Sequence, residues 1–310
     1  MKDFDKILVL DYGSQYTQLI ARRIRDLSVF SEIYPHDISI DRIKEINPNA
    51  IILSGGPMSV YSDSAYKMNS EIIDLKLPIL GICYGMQLLM KNLGAEVVSS
   101  NVREYGHMEI DILSNSDLFE GVDSSTSVWM SHGDKIASYD SEWTSLANSK
   151  NGILAAVKHK TEDIYGVQFH PEVNHTDRGK DILSNFLYNI ANCRPLWTSE
   201  NFIENAVQSI RDEVGNKNVI CGISGGVDSS VMGALINKAI GEQGKFVFVN
   251  HGLLRKNEEQ DVMESLHKGL GMNIECVNAK GTFLKELEGC EDPEEKRKII
   301  GRLFIETFET

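Results

Sequence analysis

Short apolar runs alternate with longer stretches of helical period along this chain. KILVL (6–10), AIILS (50–54) and PILGI (78–82) read as buried strands. QLIARRIRDL (18–27) and MQLLMKNLG (86–94) repeat apolar residues every three or four positions, which predicts amphipathic helices, the second closed by Gly94. Strand–helix alternation of this kind predicts an α/β domain with a mostly parallel, doubly wound sheet. Between 95 and 170 the pattern changes: VREYGHMEIDIL, SVWMSHGD, GILAAVKH and DIYGVQFH read as strands joined by turns, so some strands of this sheet are expected to be antiparallel. RGKDILSNFLYNIANC (178–193) predicts a closing helix. RPLWTSENF then carries Pro195 and a helix-start signal, and 193–201 is taken as a linker between a domain at 1–192 and a second at 202–310. ENFIENAVQSIRDEVG predicts a helix. The alternation restarts with strands KNVICGI (217–223) and KFVFVN (245–250) around a helix from Ser229 to Ile240.

Composition narrows the function classes. The chain has 310 residues, 42% hydrophobic and 25% charged, the balance of a globular protein of about two domains. A formal net charge of −14 argues against a nucleic-acid binder, which needs a basic face. No apolar stretch approaches the ~20 residues of a membrane span. Charges at positions 2, 3, 5 and 6 mark a first strand rather than a signal peptide, so the cytoplasm is the expected location. The five cysteines form no C-x-x-C pair, and no metal site is expected from them.

One cysteine stands apart. Gly81-Ile82-Cys83-Tyr84-Gly85 follows a predicted strand and precedes a predicted helix, the setting of a nucleophile held on a sharp strand-to-helix turn. The glycines relieve a strained turn, and the helix N-terminus favours negative charge on the sulfur. The plainer alternative is a buried cysteine at a tight turn. A thiol nucleophile wants a base and an orienting partner. GVQFHPEV (166–173) offers both: Pro171 biases His170 to an extended backbone, where His170 and Glu172 project from one face. Cys83, His170 and Glu172 are therefore the expected catalytic residues. For the oxyanion, one donor is the N–H of Tyr84. The second is sought in Ser54-Gly55-Gly56-Pro57, where Pro57 has no N–H and one of the glycines must serve.

GISGGVDSSV (222–231) is a predicted strand, a loop of small residues and a helix, without the lysine of a Walker A loop. Gly225 and Gly226 let backbone N–H groups approach a phosphate at a helix N-terminus, and Ser224, Ser229 and Ser230 carry hydroxyls. Asp228 would repel phosphates unless Mg²⁺ bridges them. The alternative is a glycine-rich turn with Asp228 or Ser229 as N-cap.

Together GICYGMQ, SGGP, WMSHGD and GVQFHPEV resemble the class I glutamine amidotransferases, over roughly residues 5–190. The resemblance implies hydrolysis of glutamine to glutamate and ammonia through a thioester on Cys83, and places Gly55, Gly56, Tyr84 and Gln87 at the oxyanion and glutamine site. SGGVDSS resembles the loop of N-type ATP pyrophosphatases, implying ATP binding by Ser224, Gly225, Gly226, Val227, Asp228, Ser229 and Ser230. DYGSQYTQLIARRIRD (11–26), NHTDRG (174–179), FVNHGLLRKNE (248–258) and DPEEKRKIIGRLFIETF (292–308) resemble the GMP synthase family. That family implies glutamine, ATP and XMP as substrates, Mg²⁺ as cofactor, and basic residues of 292–308 near the nucleotides. It usually has Asp where Asn250 stands. It also implies that the chain stops inside the synthetase half, before the elements that dimerise and hold most of XMP. A monomer that forms no GMP by itself is the expectation. Two other readings share these parts: a ligase of NAD or tRNA modification, and a non-catalytic remnant that binds nucleotide or a partner protein.

Overall fold

The computed structural model describes residues 4–62 and 64–309; the charged positions 2 and 3 lie outside them. The chain divides into two compact units, the first ending at Thr198 and the second beginning at Ser199.

The first unit runs β1 (Lys6–Asp11), α1 (Thr17–Asp26), β2 (Phe30–Pro35), α2 (Ile40–Ile46), β3 (Ala50–Leu53), α3 (Glu71–Asp74), β4 (Ile79–Ile82) and α4 (Tyr84–Asn92). It continues with β5 (Glu96–Ile112), β6 (Ser125–Ser138), β7 (Trp143–Ser149), β8 (Leu154–His159), β9 (Ile164–Val167) and α5 (Gly179–Asn185). The sheet order is β2-β1-β3-β4-β9-β8-β7-β5-β6. The strands from β2 to β9 are parallel, and β8, β7, β5 and β6 extend the sheet antiparallel. The change of pattern after residue 95 therefore marks this extension.

The unbroken apolar strands follow from helices on both faces. Ile7 and Val9 of β1 pack with Ile20 and Ile24 of α1 and with Ile182 and Leu183 of α5. Leu8 and Leu10 point the other way, onto Ile43 of α2, Ile72 of α3 and Leu89 of α4. Each such fully buried side chain contributes about 1.5–3 kcal/mol over an exposed one. The buried face of α1, Thr17, Ile20, Ala21 and Ile24, is the i, i+3, i+4, i+7 stripe of its sequence.

The interval read as a linker is tied down at its start. Asp5 accepts from the Arg194 side chain at 2.9 and 3.0 Å, and this bond holds the Asp5 carboxyl below its ordinary range. Trp197 packs on Phe30 and Phe4, with ring centroids 4.5 and 5.1 Å apart. The next helix begins at Ser199, inside that interval.

The second unit comprises α6 (Ser199–Val214), β10 (Val219–Ile223), α7 (Val227–Ile240), β11 (Gly244–Asn250), α8 (Glu258–Met263), β12 (Ile274–Asn278), α9 (Lys280–Glu286) and α10 (Pro293–Glu309). Its three strands are parallel in the order β10-β11-β12. The core is Cys221, Ile223, Phe246, Phe248, Val262, Leu266, Met272 and Ile274. Among the described residues no helix is long and apolar enough to cross a membrane.

Candidate active site

The parallel strands end on one edge, and their C-terminal ends carry the site, as in open α/β sheets generally. Cys83 follows β4 directly and α4 starts at Tyr84, two residues earlier than the apolar period indicates. Its backbone stands at φ 53°, ψ −106°, a strained conformation for a residue with a Cβ. Two flanking glycines make the turn possible. A Cβ on Gly81 would lie 2.6 Å from the Met86 nitrogen, and one on Gly85 would lie 2.3 Å from the Leu53 carbonyl oxygen. The Cys83 N–H donates to Val167 O at 2.7 Å, which locks the elbow to the end of β9.

Three residues beyond β9 stands His170. Its Nδ1 lies 2.7 Å from Glu172 Oε1, and both side chains are buried, at 4% and 1% exposure. The chain makes this contact across a turn at Pro171 and Glu172 rather than along an extended strand. The bond at Nδ1 leaves the other ring nitrogen to serve Cys83, whose sulfur also acts on the His170 pKa. Burial alone would lower the pKa of His170. The Glu172 charge, the neighbouring Cys83 sulfur and the bond to Glu172 outweigh it and hold the imidazole well above its ordinary value. The loop is pinned by Thr176 Oγ1, which donates to His170 O at 2.6 Å, and by Arg23 Nε, which donates to Glu172 O at 3.0 Å.

A pH prediction follows from these partners. Glu172→Gln keeps the burial that lowers the His170 pKa and removes the charge that raises it. His170 should therefore lose its proton at lower pH than in the wild type, as read by NMR titration of its ring. The alkaline limb of turnover should move the same way, with the rate down on the order of 10²–10⁴-fold. An unmoved titration would show that the Glu172 charge does not act on His170.

A cavity of about 320 Å³ opens in front of Cys83, lined by Gly56, Tyr84 and Gln87 together with Ser131 to Asp134 of β6. The backbone N–H groups of Gly56 and Tyr84 have no partner among the described residues, as oxyanion donors require. Gly55 does not line the cavity; it sits behind His170, where a Cβ would stand 3.3 Å from Cε1. Gln87 is buried, and its amide NH₂ is engaged inside the wall, with Asp134 O at 3.3 Å and Gln168 Oε1 at 2.9 Å, so it is not the oxyanion donor.

The sequence singled out WMSHGD without giving its residues roles. In the structure Asp134 puts a largely buried carboxylate on the wall, its Oδ1 accepting from Tyr61 OH at 2.9 Å. Arg103 reaches the same cavity from β5, where the ladder with β6 is interrupted between Ser99 and Glu104. A carboxylate and a guanidinium at one cavity suit the ammonium and carboxylate of an amino acid. Nothing local in the sequence pairs residues so far apart.

In the second unit, Ser224, Gly225 and Gly226 join β10 to α7. Gly225 has φ +80°, and a Cβ there would meet Val262 Cγ2 at 2.6 Å. The hydroxyls close the loop on itself: Ser224 Oγ and Ser229 Oγ are 3.0 Å apart, and Ser230 Oγ donates to Gly226 O at 2.8 Å. Val227, Asp228 and Ser229 fill the first turn of α7, whose N–H groups have no intrahelical acceptor. Asp228 is exposed. A cavity of about 300 Å³ joins Gly225 and Ser230 to Arg255 and Lys256, with Glu258 and Asp261 nearby. The basic pair was quoted in FVNHGLLRKNE, but only the fold brings it to the loop.

The basic residues of α10 stand differently. Arg297 pairs with Glu294 at 2.7 Å, and Arg302 with Glu306 and Glu286 at 2.9 and 3.0 Å. All are exposed, which is a solvated helix face. Asn250 accepts from Gly252 N at 2.9 Å and donates to Glu259 through Nδ2. An aspartate there would set two carboxylates against each other, so Asn250 is matched to Glu259.

The chain belongs to the class-I glutamine amidotransferase family, whose pattern matches residues 8–190. A NAD synthase pattern matches residues 197–299. The glutamine-hydrolyzing GMP synthase of Lactobacillus gasseri is 51% identical over 309 residues, covering 99% of this chain and 60% of the relative. That of Staphylococcus aureus is 51% identical over 308 residues, again 99% and 60%. The chain thus spans about 60% of the length of the curated relatives it matches. A solved structure from Thermoplasma acidophilum, described as that of a GMP synthase subunit, matches with 32% identity and a TM-score of 0.56, covering 66% of this chain and 100% of that one.

Proposed function

We propose that the first unit hydrolyses glutamine at Cys83 and that the second binds the phosphates of ATP, as parts of a synthase that aminates XMP to GMP. The observation that carries the glutaminase reading is Cys83 at the wall of a cavity that Asp134 and Arg103 also line, with a buried His170 bonded to Glu172 acting on its sulfur. Cys83 Sγ attacks the side-chain amide carbon of glutamine, and the N–H groups of Gly56 and Tyr84 face the oxygen that becomes negative. His170 delivers its proton to the leaving nitrogen, ammonia departs, and a thioester remains. Water then attacks, giving its proton to His170, and glutamate leaves as the sulfur is regenerated. Asp134 and Arg103 hold the amino-acid head.

The loop at 224–230 fits a polyphosphate by the free N–H groups of α7, the closeness that Gly225 permits, and the basic pair Arg255 and Lys256. Asp228 would hold Mg²⁺, which supplies positive charge to the phosphates. The ammonia acceptor, XMP activated by ATP, rests on the relatives named GMP synthase. Hydrogen exchange tests the loop. ATP with Mg²⁺ should protect the amides from Gly225 to Ser229, and Asp228→Asn should weaken that protection. Unchanged exchange at saturating ATP would reduce the segment to a turn. For the glutaminase, ammonia release from glutamine is the direct assay, and a folded chain that releases none under any activating condition would overturn the reading.

A further inference from the structure

Gln168 lies inside the GVQFHPEV segment yet has no role in the set of Cys83, His170 and Glu172. It is 1% exposed, and its Nε2 stands 3.6 Å from Cys83 Sγ. Which end of a glutamine amide is nitrogen has to be argued from its neighbours. Here the neighbours decide it. The Asp134 backbone carbonyl can only accept, so Gln87 must present its NH₂ there, at 3.3 Å. That same NH₂ faces Gln168 at 2.9 Å, so the atom it meets must be Oε1. The remaining end of Gln168, its NH₂, is then fixed toward the sulfur. A backbone carbonyl thus sets the polarity of two side-chain amides in series and aims a donor at Cys83.

The start of the series is itself held. His132 Nδ1 stands 2.8 Å from the same Asp134 oxygen, and its Nε2 lies 3.1 Å from Glu104 Oε2. The other Glu104 oxygen accepts from Ser149 Oγ at 2.7 Å and from Asn151 Nδ2 at 2.9 Å. A backbone acceptor and a carboxylate thus flank the His132 ring. Gln168 is fixed at its backbone too, where its N–H donates to Ala155 O at 2.8 Å.

What the sulfur needs makes the donor useful. Cys83 Sγ lies 3.7 Å from Ser131 O, an acceptor that suits the thiol and repels the thiolate. His170 stabilises the thiolate from one side. We propose that Gln168 is a further catalytic residue: it donates its amide hydrogen to the Cys83 thiolate, and Gln87, Asp134 O and the buried pair of His132 and Glu104 position it. A donor bonded to a charged acceptor is worth more than a neutral one, and the neutral thiol gains less from it, so the bond favours the ionised sulfur. The proposal rests on Cys83 being the acylated nucleophile.

The test is the pH profile of Cys83 alkylation by iodoacetamide, followed at the Cys83 peptide by mass spectrometry, in the wild-type chain and in Gln168→Met, Gln168→Glu and Gln87→Met. Thermal melts and circular dichroism verify the fold of each. Gln168→Met keeps the shape without the donor, and the profile should move to higher pH by about one unit, a tenfold slower reaction near neutrality with the alkaline plateau kept. Gln168→Glu places a carboxylate beside the sulfur and should move it further. Gln87→Met leaves Gln168 in place but unaligned and should give a smaller shift in the same direction. A merely structural role predicts altered melting with superimposable profiles, and superimposable profiles in the folded variants would overturn the proposal. Protection of Cys83 by glutamine is read separately in the wild type. Its absence would refute the glutaminase reading, while a shifted profile would still support the donor.

Discussion

Cys83→Ala protein should hydrolyse glutamine more slowly by about 10⁴-fold or more, because the substitution removes the sulfur that forms the acyl intermediate and that His170 activates. The substitution removes one buried sulfur and leaves both glycines of the elbow, so the fold should survive. Circular dichroism and a melting curve close to wild type, together with lost ammonia release in a coupled assay, are the expected pair of results. Near-normal ammonia release from well-folded Cys83→Ala would remove the nucleophile from the account. His170→Ala should be severe as well, since the same ring takes up the thiol proton and returns it to the leaving nitrogen.

Gly85→Ala should be among the most damaging methyl additions in the first unit. The new Cβ would stand 2.3 Å from Leu53 O and 2.8 Å from Leu53 C, so backbone of β3, not a movable side-chain end, must yield. Moving it disturbs the register of β3 with β4, in which Leu53 faces Gly81. Overpacking of this kind costs about 1–3 kcal/mol and occasionally more, which for a unit of this size lowers the melting temperature by roughly 3–10 °C. Activity should fall further than stability, because the displaced elbow carries Cys83. Calorimetry and the ammonia assay on one preparation check both. A melting temperature and rate within error of wild type would mean that the elbow is looser than its contacts imply.

The parts of the site that were legible in the sequence are local. The elbow is five consecutive residues whose glycines answer to nearby backbone, and His170 and Glu172 are two apart. The loop at 224–230 is likewise contiguous. Of the cavity wall, Gly56, Tyr84 and Gln87 were named in the sequence, whereas Arg103 and Asp134 were given no role, because only the fold brings their segments to the cavity. Gln168 stood in plain sight within a quoted segment, but its role depends on Gln87 and Asp134, which only the sheet order brings to it. Gln87 was read as part of the oxyanion and glutamine site; it lines the cavity, and its NH₂ is engaged by Asp134 O and Gln168 Oε1. Among the strands, the buried runs of β1, β3 and β4 announced themselves. β2, FSEIYP, mixes Glu and Pro into an edge strand, and β7, WTSLANS, is rich in small polar residues. Neither has the unbroken apolar run of a covered strand, and β12, IECVN, is too short and mixed to stand out. The family resemblance supplied the substrates, which the pattern of residues alone does not name.

The central claim is that Cys83 is acylated by glutamine in the first unit. A diazoketone analogue of glutamine, which traps such a nucleophile by losing nitrogen as its carbon bonds to sulfur, measures this directly. Peptide mapping after incubation should find one equivalent on Cys83, none on Cys193, Cys221, Cys276 or Cys290, and protection by excess glutamine. Burial pushes the Cys193 thiol up to about 12 and Cys276 to about 11, which keeps both unreactive near neutrality. Label spread over the other cysteines, or label on Cys83 that glutamine does not suppress, would contradict the account.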